Sequence, residues 1–450
     1  MNFCSVNFLF LFLPVILPVY FFVKPKYRNY ILIFFSLLFY FLGEKIFTLL
    51  LLFSCIFNYF IGKKINYKEG IDKRRFLILG IIVNLSLLFI FKYLNFFIDE
   101  INHLKIFPVI EYAKVHLPVG ISFFTFQALS YLIDIYKRKI KSASFFDFSL
   151  YLSLFPQLVA GPIVRYEQIK YKIKNRIITN EDFQIGVKRF ISGLSKKVII
   201  ADTLSYTVDS IFSLPTSELS TGVCILGAIC YSFQIFFDFS GYSDMAIGLG
   251  KMFGFNFPEN FNFPYISKSI REFWRRWHIT LSSFFKDYLY IPLGGNKRHV
   301  YLNILIIFIL TGFWHGASWN FIIWGLYNGI LIVFERLGLL NKLPKVLCHI
   351  YFLIAVVTGW VIFRSPDLDY AIHFVKNMYQ FSGAGEILQY MNFELIFTLI
   401  LAVLFSFPLI YKIKKYIPNF ILNIFYCLLL VISSSYVAVN TYQPFIYFRF

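Results

Sequence analysis

Charged residues are scarce in this chain. Asp, Glu, Lys and Arg make up 15% of its 450 residues, against about 25% in a typical soluble domain. Hydrophobic residues make up 58%. Apolar runs of roughly 20 residues, the length that spans a bilayer, recur from end to end. This balance excludes a soluble enzyme and predicts an all-α integral membrane protein that crosses the membrane many times.

The sequence also lacks the spacing of several common sites. Its six cysteines are scattered, without the intervals of a metal site or a redox pair, and are expected to be small core residues. It contains no Walker sequence, no dinucleotide-binding glycine fingerprint and no cluster of metal ligands. ATP hydrolysis is therefore not expected, and neither a bound cofactor nor a bound metal is predicted.

Positive charge is abundant, with a formal net charge of +19, but it gathers in short loops between apolar runs. This is the pattern of cytoplasmic loops, and it argues against nucleic-acid binding. The basic loops at 24–28, 63–75 and 137–141 alternate with apolar runs in an order that places the N-terminus outside. The basic residues at 412–415 place the C-terminal tail, residues 440–450, outside as well. The first apolar run has no signal-peptide features and is predicted to be a retained span.

About twelve crossings are expected, in a single domain that covers residues 1–450. The predicted spans are 5–23, 29–43, 46–62, 76–98, 117–136, 197–213, 221–249, 300–313, 319–335, 347–363, 392–410 and 420–438. Residues 145–163 are apolar, but they lie between two basic loops and contain two prolines and a glycine. They are expected to form a re-entrant or interfacial segment. Residues 254–299 are not expected to span the membrane.

His315 is the first candidate for a catalytic residue, because ionisable side chains inside a bilayer are costly. It lies at the break between two apolar runs, where Gly312 and Gly316 permit bending or close approach of the backbone. Three tryptophans lie near it: Trp314, Trp319 and Trp324. A partly desolvated imidazole is held neutral, as a general base requires. A hydrogen-bonded core histidine is the alternative.

His278 is the second candidate. The segment from Ile270 to Phe285 repeats apolar residues at the i, i+3, i+4 spacing of one helical face, and three arginines occupy the other side. It predicts either an amphipathic helix on the inner leaflet or a helix whose cations hold a phosphate-bearing donor while His278 faces the protein. The candidate donor-binding residues are Arg271, Arg275, Arg276 and Trp274.

Asp238 and Asp244 lie in a long apolar run. They are expected to pair with neighbouring cations or tyrosine hydroxyls. Alternatively, together with Lys92, they mark an ion path. A transporter of envelope precursors would use them in this way, but it predicts inverted repeats with matching helix breaks. The sequence shows no such repeats.

Five long blocks, all within residues 117–330, resemble the membrane-bound O-acyltransferase (MBOAT) family. The similarity is to its bacterial branch of alginate and peptidoglycan O-acetyltransferase membrane subunits, related to teichoic-acid D-alanyl transferase. The blocks are LPVGISFFTFQALSYLIDIYK at 117, FPQLVAGPIVRYEQI at 155, DFSGYSDMAIGLGKMFGFNFPENFNFPY at 238, REFWRRWHITLSSFFKDYLYIPLGGN at 271 and TGFWHGASWNFIIWGLYNG at 311.

The resemblance implies a polytopic helical fold with about 11–12 transmembrane helices and re-entrant or interfacial helices around a central funnel and tunnel. It matches His315 to the family's catalytic histidine and His278 to its second characteristic histidine. It also implies that an acyl group, acetyl in this branch, is taken from a cytoplasmic thioester. The donor would be acetyl-CoA or an acyl carrier, and the membrane would be the bacterial cytoplasmic membrane.

The same resemblance implies an extracytoplasmic partner acyltransferase and a cell-envelope or exported polysaccharide as the final acceptor. PFIYFRF at 444–450 resembles an aromatic C-terminal motif of cell-envelope acylation systems, in which a tyrosine carries the acyl group. Here that residue is Tyr447, and an interfacial anchor is the alternative role. Transfer of D-alanine from a carrier protein, and a scaffold without catalysis, remain alternatives for the whole chain.

Overall fold

The computed structural model describes residues 2–106, 108–381, 383, 385–409, 413 and 416–439. These residues form helices and loops, and none of them lies in a β-strand. The predicted all-α class is therefore confirmed. The chain divides into two compact units, one made of Met1–Phe190 and Met245–Pro258, the other of Ile191–Asp244 and Glu259–Phe450.

The long helices that begin in the first unit follow apolar runs of the sequence, and shorter or more polar helices accompany them. They are Phe8–Phe12, Leu13–Phe22, Pro25–Tyr27, Arg28–Glu44, Lys45–Phe47, Thr48–Tyr67, Gly70–Leu88, Phe89–Tyr93, Leu94–Leu104, Ile121–Tyr136, Phe145–Ser153, Phe155–Leu158, Tyr166–Lys174 and Asn180–Ser195. The predicted spans 29–43 and 46–62 lie in one helical segment, Pro25–Tyr67. Lys45, between them, has a positive φ of 47°.

The predicted re-entrant segment is built from two short helices. Phe145–Ser153 has nine residues and Phe155–Leu158 has four. At 1.5 Å per residue, the longer one extends only about 14 Å, about half the thickness of the hydrocarbon layer. Neither can cross the membrane alone, as the two prolines and the glycine in this stretch predicted.

The helices that begin in the second unit, together with the break between two of them, hold the described candidate site residues. They are Lys196–Ala201, Asp202–Phe212, Thr216–Glu218, Thr221–Met252, Pro264–Ile266, Ile270–Arg276, Ile279–Phe285, Lys286–Tyr290, Val300–His315, Trp319–Arg336, Lys345–Arg364, Leu368–Tyr379, Gly385–Gln389, Phe393–Ser406 and Asn419–Val439. The stretch 254–299 contains only short helices, in agreement with the prediction that it does not span the membrane.

Several of these helices are long and apolar enough to cross a membrane. Five such helices occur among the described residues: Pro25–Tyr67, Gly70–Leu104, Thr221–Met252, Lys345–Arg364 and Asn419–Val439. Four shorter apolar helices accompany them: Phe8–Phe22, Ile121–Tyr136, Val300–His315 and Phe393–Ser406. The chain is therefore a multi-pass membrane protein, while the number of crossings stays a prediction.

The prediction of one continuous helix from Ile270 to Phe285 is wrong. The helix ends at Arg276, and a second begins at Ile279. The ends of the break are held by another stretch of backbone: the carbonyl of Arg276 accepts the amide N–H of Asn262 at 2.9 Å, and the N–H of Ile279 donates to the carbonyl of Asn260 at 3.0 Å. These tertiary hydrogen bonds replace intrahelical ones and interrupt the helix. The helical spacing of apolar residues in the sequence continues across this interruption.

Candidate active site

His315 is the last residue of the helix Val300–His315, and 4% of it is exposed. Its ring lies against aromatic rings on several sides. The distances between ring centroids are 4.9 Å to Trp314, 5.2 Å to Trp324 and 5.2 Å to Phe363. The predicted tryptophan surroundings therefore hold for Trp314 and Trp324, whereas Trp319 is 50% exposed.

Close packing of two helices fixes the position of His315. A Cβ atom placed on Gly312 would lie 2.0 Å from the carbonyl oxygen of Phe321, in the helix Trp319–Arg336. A Cβ atom on Gly325 would lie 2.2 Å from the carbonyl oxygen of Phe308. Only glycine permits this approach. The close approach predicted at Gly312 is therefore confirmed.

His278 lies in the break between two short helices, neither of which is a membrane span. It is fully buried, and its backbone is left-handed (φ 42°, ψ 53°). Such a conformation is uncommon for a residue other than glycine, and it costs about 1–3 kcal/mol. The ring packs edge-on against Phe239, with centroids 4.6 Å apart. This buried side chain is not the exposed polar edge of a surface helix.

Asn260 sets the hydrogen bonding of His278. The Oδ1 atom of Asn260 accepts the backbone N–H of Thr280 at 3.3 Å and its hydroxyl at 2.9 Å. The same oxygen lies 3.1 Å from Nδ1 of His278. Because an amide oxygen only accepts, Nδ1 carries the proton and Nε2 is the basic nitrogen of the neutral ring. Burial lowers the pKa of His278 to about 3, so the ring is neutral at physiological pH.

The two histidines meet at one indole. The ring of Trp314 lies 5.8 Å from that of His278 and 4.9 Å from that of His315. The structure therefore brings together two histidines that are far apart in the sequence, in a buried aromatic cluster of the second unit. A neutral imidazole in such a cluster can accept or relay a proton without competition from bulk water.

The three candidate arginines line a cavity of about 550 Å³ in the same unit. The residues that line it are Asn262, Ser269, Arg271, Glu272, Arg275, Arg276, Glu335 and Leu340. The arginines come from one turn and a half of the helix Ile270–Arg276, so the predicted cationic side of this segment is real although the helix is shorter.

Two of the three arginines keep their guanidinium groups available. Arg276 is paired with Glu272, Nε to Oε1, at 3.0 Å. Glu335 accepts the backbone N–H groups of Ile270 and Arg271. The exposed side chains of Arg271 and Arg275 make no hydrogen bond or ion pair with any residue that the structure describes. An anionic ligand in this cavity would meet two cations without a carboxylate partner.

Trp274, in the helix Ile270–Arg276, packs against the aromatic rings around His315. It is buried, and its indole N–H donates to the side-chain oxygen of Asn328 at 3.2 Å. Its ring lies 5.7 Å from that of Trp324, which in turn lies 5.2 Å from His315. Trp274 therefore belongs to the packing behind the cavity, and it does not line the cavity itself.

Asp238 and Asp244 are paired with lysines. Lys197 Nζ lies 2.6 Å from Asp238 and 2.5 Å from Asp202, and all three are almost fully buried. Lys196 Nζ lies 2.7 Å from Asp244. The predicted pairing with neighbouring cations is confirmed. Because each acid has a cation beside it, these contacts do not require an ion path.

Sequence reasoning missed Asn260, Glu335 and Phe363. Asn260 lies in a stretch without helical periodicity, and its only signal was a polar residue among aromatic ones. Among the described residues, no group of three or more His, Cys, Asp or Glu side chains is placed to hold a metal. Tyr447, the predicted acyl carrier, lies outside the described residues.

Comparison with known proteins identifies the family of the chain. The model of the MBOAT, membrane-bound O-acyltransferase, family matches residues 32–340, a range that includes both histidines and the arginine cavity. The chain is 43% identical over 394 residues to the "Probable alginate O-acetylase AlgI" of Pseudomonas aeruginosa, covering 85% of this chain and 75% of that protein.

Two other relatives differ in how much of the chain they match. Identity to the peptidoglycan O-acetyltransferase of Helicobacter pylori is 36%, over 98% of this chain and 96% of that protein. Identity to the teichoic acid D-alanyltransferase of Bacillus subtilis is 32%, over 51% of this chain and 63% of that protein. The match to O-acetyltransferases thus extends over more of the chain than the match to the D-alanyl transferase.

Proposed function

The chain belongs to the membrane-bound O-acyltransferase family and is an acyltransferase, and we propose that it moves acetyl groups across the bacterial cytoplasmic membrane for O-acetylation of a cell-envelope or exported polysaccharide. The observation that carries this proposal is the pair of buried histidines on the indole of Trp314, in the same unit as a cavity with two available arginines.

His315 is the proposed general base. Its ring accepts the proton of an acceptor hydroxyl while that oxygen attacks the carbonyl carbon of the thioester. The carbon–sulfur bond then breaks, and the thiolate takes the proton back from the imidazolium. The acyl group ends on the acceptor oxygen, the proton ends on the thiol, and His315 returns to its neutral form. Such assistance contributes about 10²–10⁴-fold to a rate, and positioning of the two reactants adds more.

His278 has a different proposed role. A nitrogen whose pKa is lowered to about 3 is a poor proton acceptor at neutral pH. With Nδ1–H held by Asn260, the ring is fixed in one tautomer and one orientation. His278 therefore acts by orienting a reacting group through Nε2, and His315 by taking the proton.

The proposed donor is acetyl-CoA. Its phosphates would bind Arg271 and Arg275, since planar guanidinium groups donate paired hydrogen bonds to phosphate. Acetyl is favoured over D-alanyl because the relatives named O-acetylase or O-acetyltransferase match 85% and 98% of the chain, against 51% for the D-alanyl transferase. An acyl carrier protein presents the same phosphopantetheine chemistry and is the alternative donor.

The acceptor side is proposed to be extracytoplasmic. The loop charges support a topology with both termini outside, and Tyr447 in the tail is the proposed intermediate acyl carrier. A separate extracytoplasmic acyltransferase would then move the acetyl group from the tyrosine ester to the polysaccharide. This scheme divides the work: the membrane protein brings the acyl group across, and its partner selects the polymer.

The proposal is tested by incubating the purified protein with radiolabelled acetyl-CoA and following label into protein. Wild type is compared with His315→Ala, His315→Gln and His373→Ala, an exposed histidine in the helix Leu368–Tyr379. We expect labelling to fall at least a hundredfold in both His315 variants and to be unchanged in His373→Ala. Full labelling of the His315 variants would reject the proposed base.

The tail is tested in the same assay with Tyr447→Phe and, as its matched control, Tyr442→Phe. Loss of label in Tyr447→Phe alone supports the relay. Label retained in both tyrosine variants but lost in His315→Ala keeps the enzyme and removes the relay. Labelling from an aminoacyl carrier protein but not from acetyl-CoA would show that the carrier protein is the donor.

A further inference from the structure

Two arginines lie against one tyrosine in the first compact unit. The guanidinium carbon of Arg28 lies 5.2 Å from the ring centroid of Tyr20. The Nε atom of Arg176 donates to the Tyr20 hydroxyl at 3.3 Å. Tyr20 itself is fully buried, and its hydroxyl donates to the carbonyl of Phe253 at 3.0 Å. Two cations that are distant in sequence are thus brought to a single fixed ring.

Arg176 is held firmly in this place. Its Nη2 atom donates to the side-chain oxygen of Asn29 at 2.5 Å, and its Nη1 atom donates to the carbonyl of Lys172 at 3.4 Å. Its guanidinium carbon lies 4.5 Å from the ring centroid of Phe255. Burial lowers the pKa of Arg176, and the positive charge of Arg28 lowers it further. Arg176 is therefore held at a position where the positive charge of Arg28 repels its own.

No carboxylate among the described residues balances these two charges. Within the part of the chain that the structure describes, neither Arg28 nor Arg176 forms an ion pair with Asp or Glu. The Nε atom of Arg28 is buried without a hydrogen-bond acceptor. A buried donor of this kind costs about 1–3 kcal/mol when it is left unsatisfied. An anion between the two guanidinium groups would satisfy this donor and offset the repulsion.

We propose that Arg28 and Arg176 form a binding site for the phosphate-bearing headgroup of an anionic phospholipid in the cytoplasmic leaflet. Guanidinium groups bind phosphate through paired, charge-assisted hydrogen bonds. The distribution of basic loops places residues 24–28 and 165–176 on the cytoplasmic side. Basic pockets between transmembrane helices on this side are the usual sites for such headgroups.

The apolar surroundings favour a lipid over a free phosphate. Phe21 is 38% exposed and Phe22 is 90% exposed, and the guanidinium carbon of Arg28 lies 5.9 Å from the ring centroid of Phe21. Arg28 also opens the helix Arg28–Glu44 within an apolar segment long enough to span the membrane. An acyl chain attached to a phosphate at this site would find exposed aromatic surface beside it.

The test is lipid binding by the full-length protein in a neutral detergent, measured by native mass spectrometry and by thermal unfolding. Phosphatidylglycerol, phosphatidylcholine and inorganic pyrophosphate are added separately. We expect phosphatidylglycerol to bind and raise the Tm, and phosphatidylcholine and pyrophosphate to have little effect. Arg28→Gln should weaken phosphatidylglycerol binding roughly tenfold, and Arg28→Lys should weaken it less.

Arg74→Gln is the matched control, because Arg74 is an exposed arginine in another basic loop of the same predicted side. It should bind phosphatidylglycerol as the wild type does. A lipid-free Tm of Arg28→Gln equal to that of the wild type verifies that the variant is folded. Equal effects of both lipids, unchanged binding by Arg28→Gln, or a Tm increase with pyrophosphate that removes the lipid effect would each overturn the proposal.

Discussion

The Nδ1 atom of His278 lies 3.1 Å from the side-chain oxygen of Asn260. This contact determines which nitrogen of the ring carries the proton. The carbonyl of Asn260 also accepts the N–H of Ile279. One asparagine thereby fixes both the backbone and the tautomer of the histidine.

Replacing the side chain of Asn260 should affect the tautomer of His278 and leave the backbone carbonyl that accepts the N–H of Ile279 in place. In Asn260→Ala, the ring N–H of His278 and the N–H of Thr280 lose their acceptor, at a cost of about 1–3 kcal/mol for each buried donor. Asn260→Asp keeps an acceptor oxygen in the same place. We expect acetyl transfer to fall more than tenfold in the alanine variant and much less in the aspartate variant, measured with Tm alongside. Equal losses in both would contradict the orienting role.

The buried, neutral state of His278 predicts a pH dependence of stability. The pKa of His278 is about 3 in the folded protein and about 6.5 in an unfolded chain. Between these values the unfolded state binds the additional proton, so stability falls as the pH falls below about 6.5. The slope reaches at most about 1.4 kcal/mol per pH unit for one group.

The measurement is the Tm between pH 4 and pH 8, compared in wild type and His278→Asn. Asparagine tolerates the left-handed backbone at this position and does not titrate. We expect the acid-side decline of the Tm to be shallower in the variant. Parallel curves would assign the decline to other groups.

The glycines between the two helices around His315 should be sensitive to a single methyl group. In Gly312→Ala the new Cβ atom meets the carbonyl oxygen of Phe321 at 2.0 Å, so the helices must separate, at a cost of about 1–3 kcal/mol or more. At Gly329, farther along the same interface, the nearest atom is a side-chain Cβ at 3.2 Å. Gly312→Ala should therefore lower both Tm and acetyl transfer, and Gly329→Ala should change both much less.

The long apolar helices could be predicted from the sequence, and the break at His278 could not. The predicted spans 221–249 and 420–438 correspond to Thr221–Met252 and Asn419–Val439, because continuous apolar runs leave few alternatives in a membrane. The break at His278 was missed because apolar residues keep the helical spacing on both sides of it. It depends on hydrogen bonds from residues 260–262, and no periodicity in the segment itself encodes them.

The candidate site could be predicted only in part, because some of its residues are close together in the sequence and others are brought together by the fold. Gly312 and the tryptophans beside His315 are neighbours in sequence, so their roles could be inferred. Phe363 and Asn260 reach the histidines only through the fold. The three arginines line one cavity, as residues of one predicted cationic side, while their role in donor binding stays a prediction. The different state of Arg276 was not foreseen, since its pairing with Glu272 depends on side-chain geometry.

Arg271 and Arg275 are available to an anionic donor, whereas Arg276 is tied to Glu272. Arg271→Gln and Arg275→Gln should raise the KM for acetyl-CoA with little change in kcat, because they remove binding that is equal in the ground state and the transition state. The effect should shrink at high salt, since the contacts are exposed and screened. Lys268→Gln, which removes an exposed cation just before the helix, is the control and should leave the KM unchanged. A fall in kcat at constant KM in the Arg271 and Arg275 variants would instead place these residues near the reacting carbonyl, and would move the donor phosphates to another part of the protein.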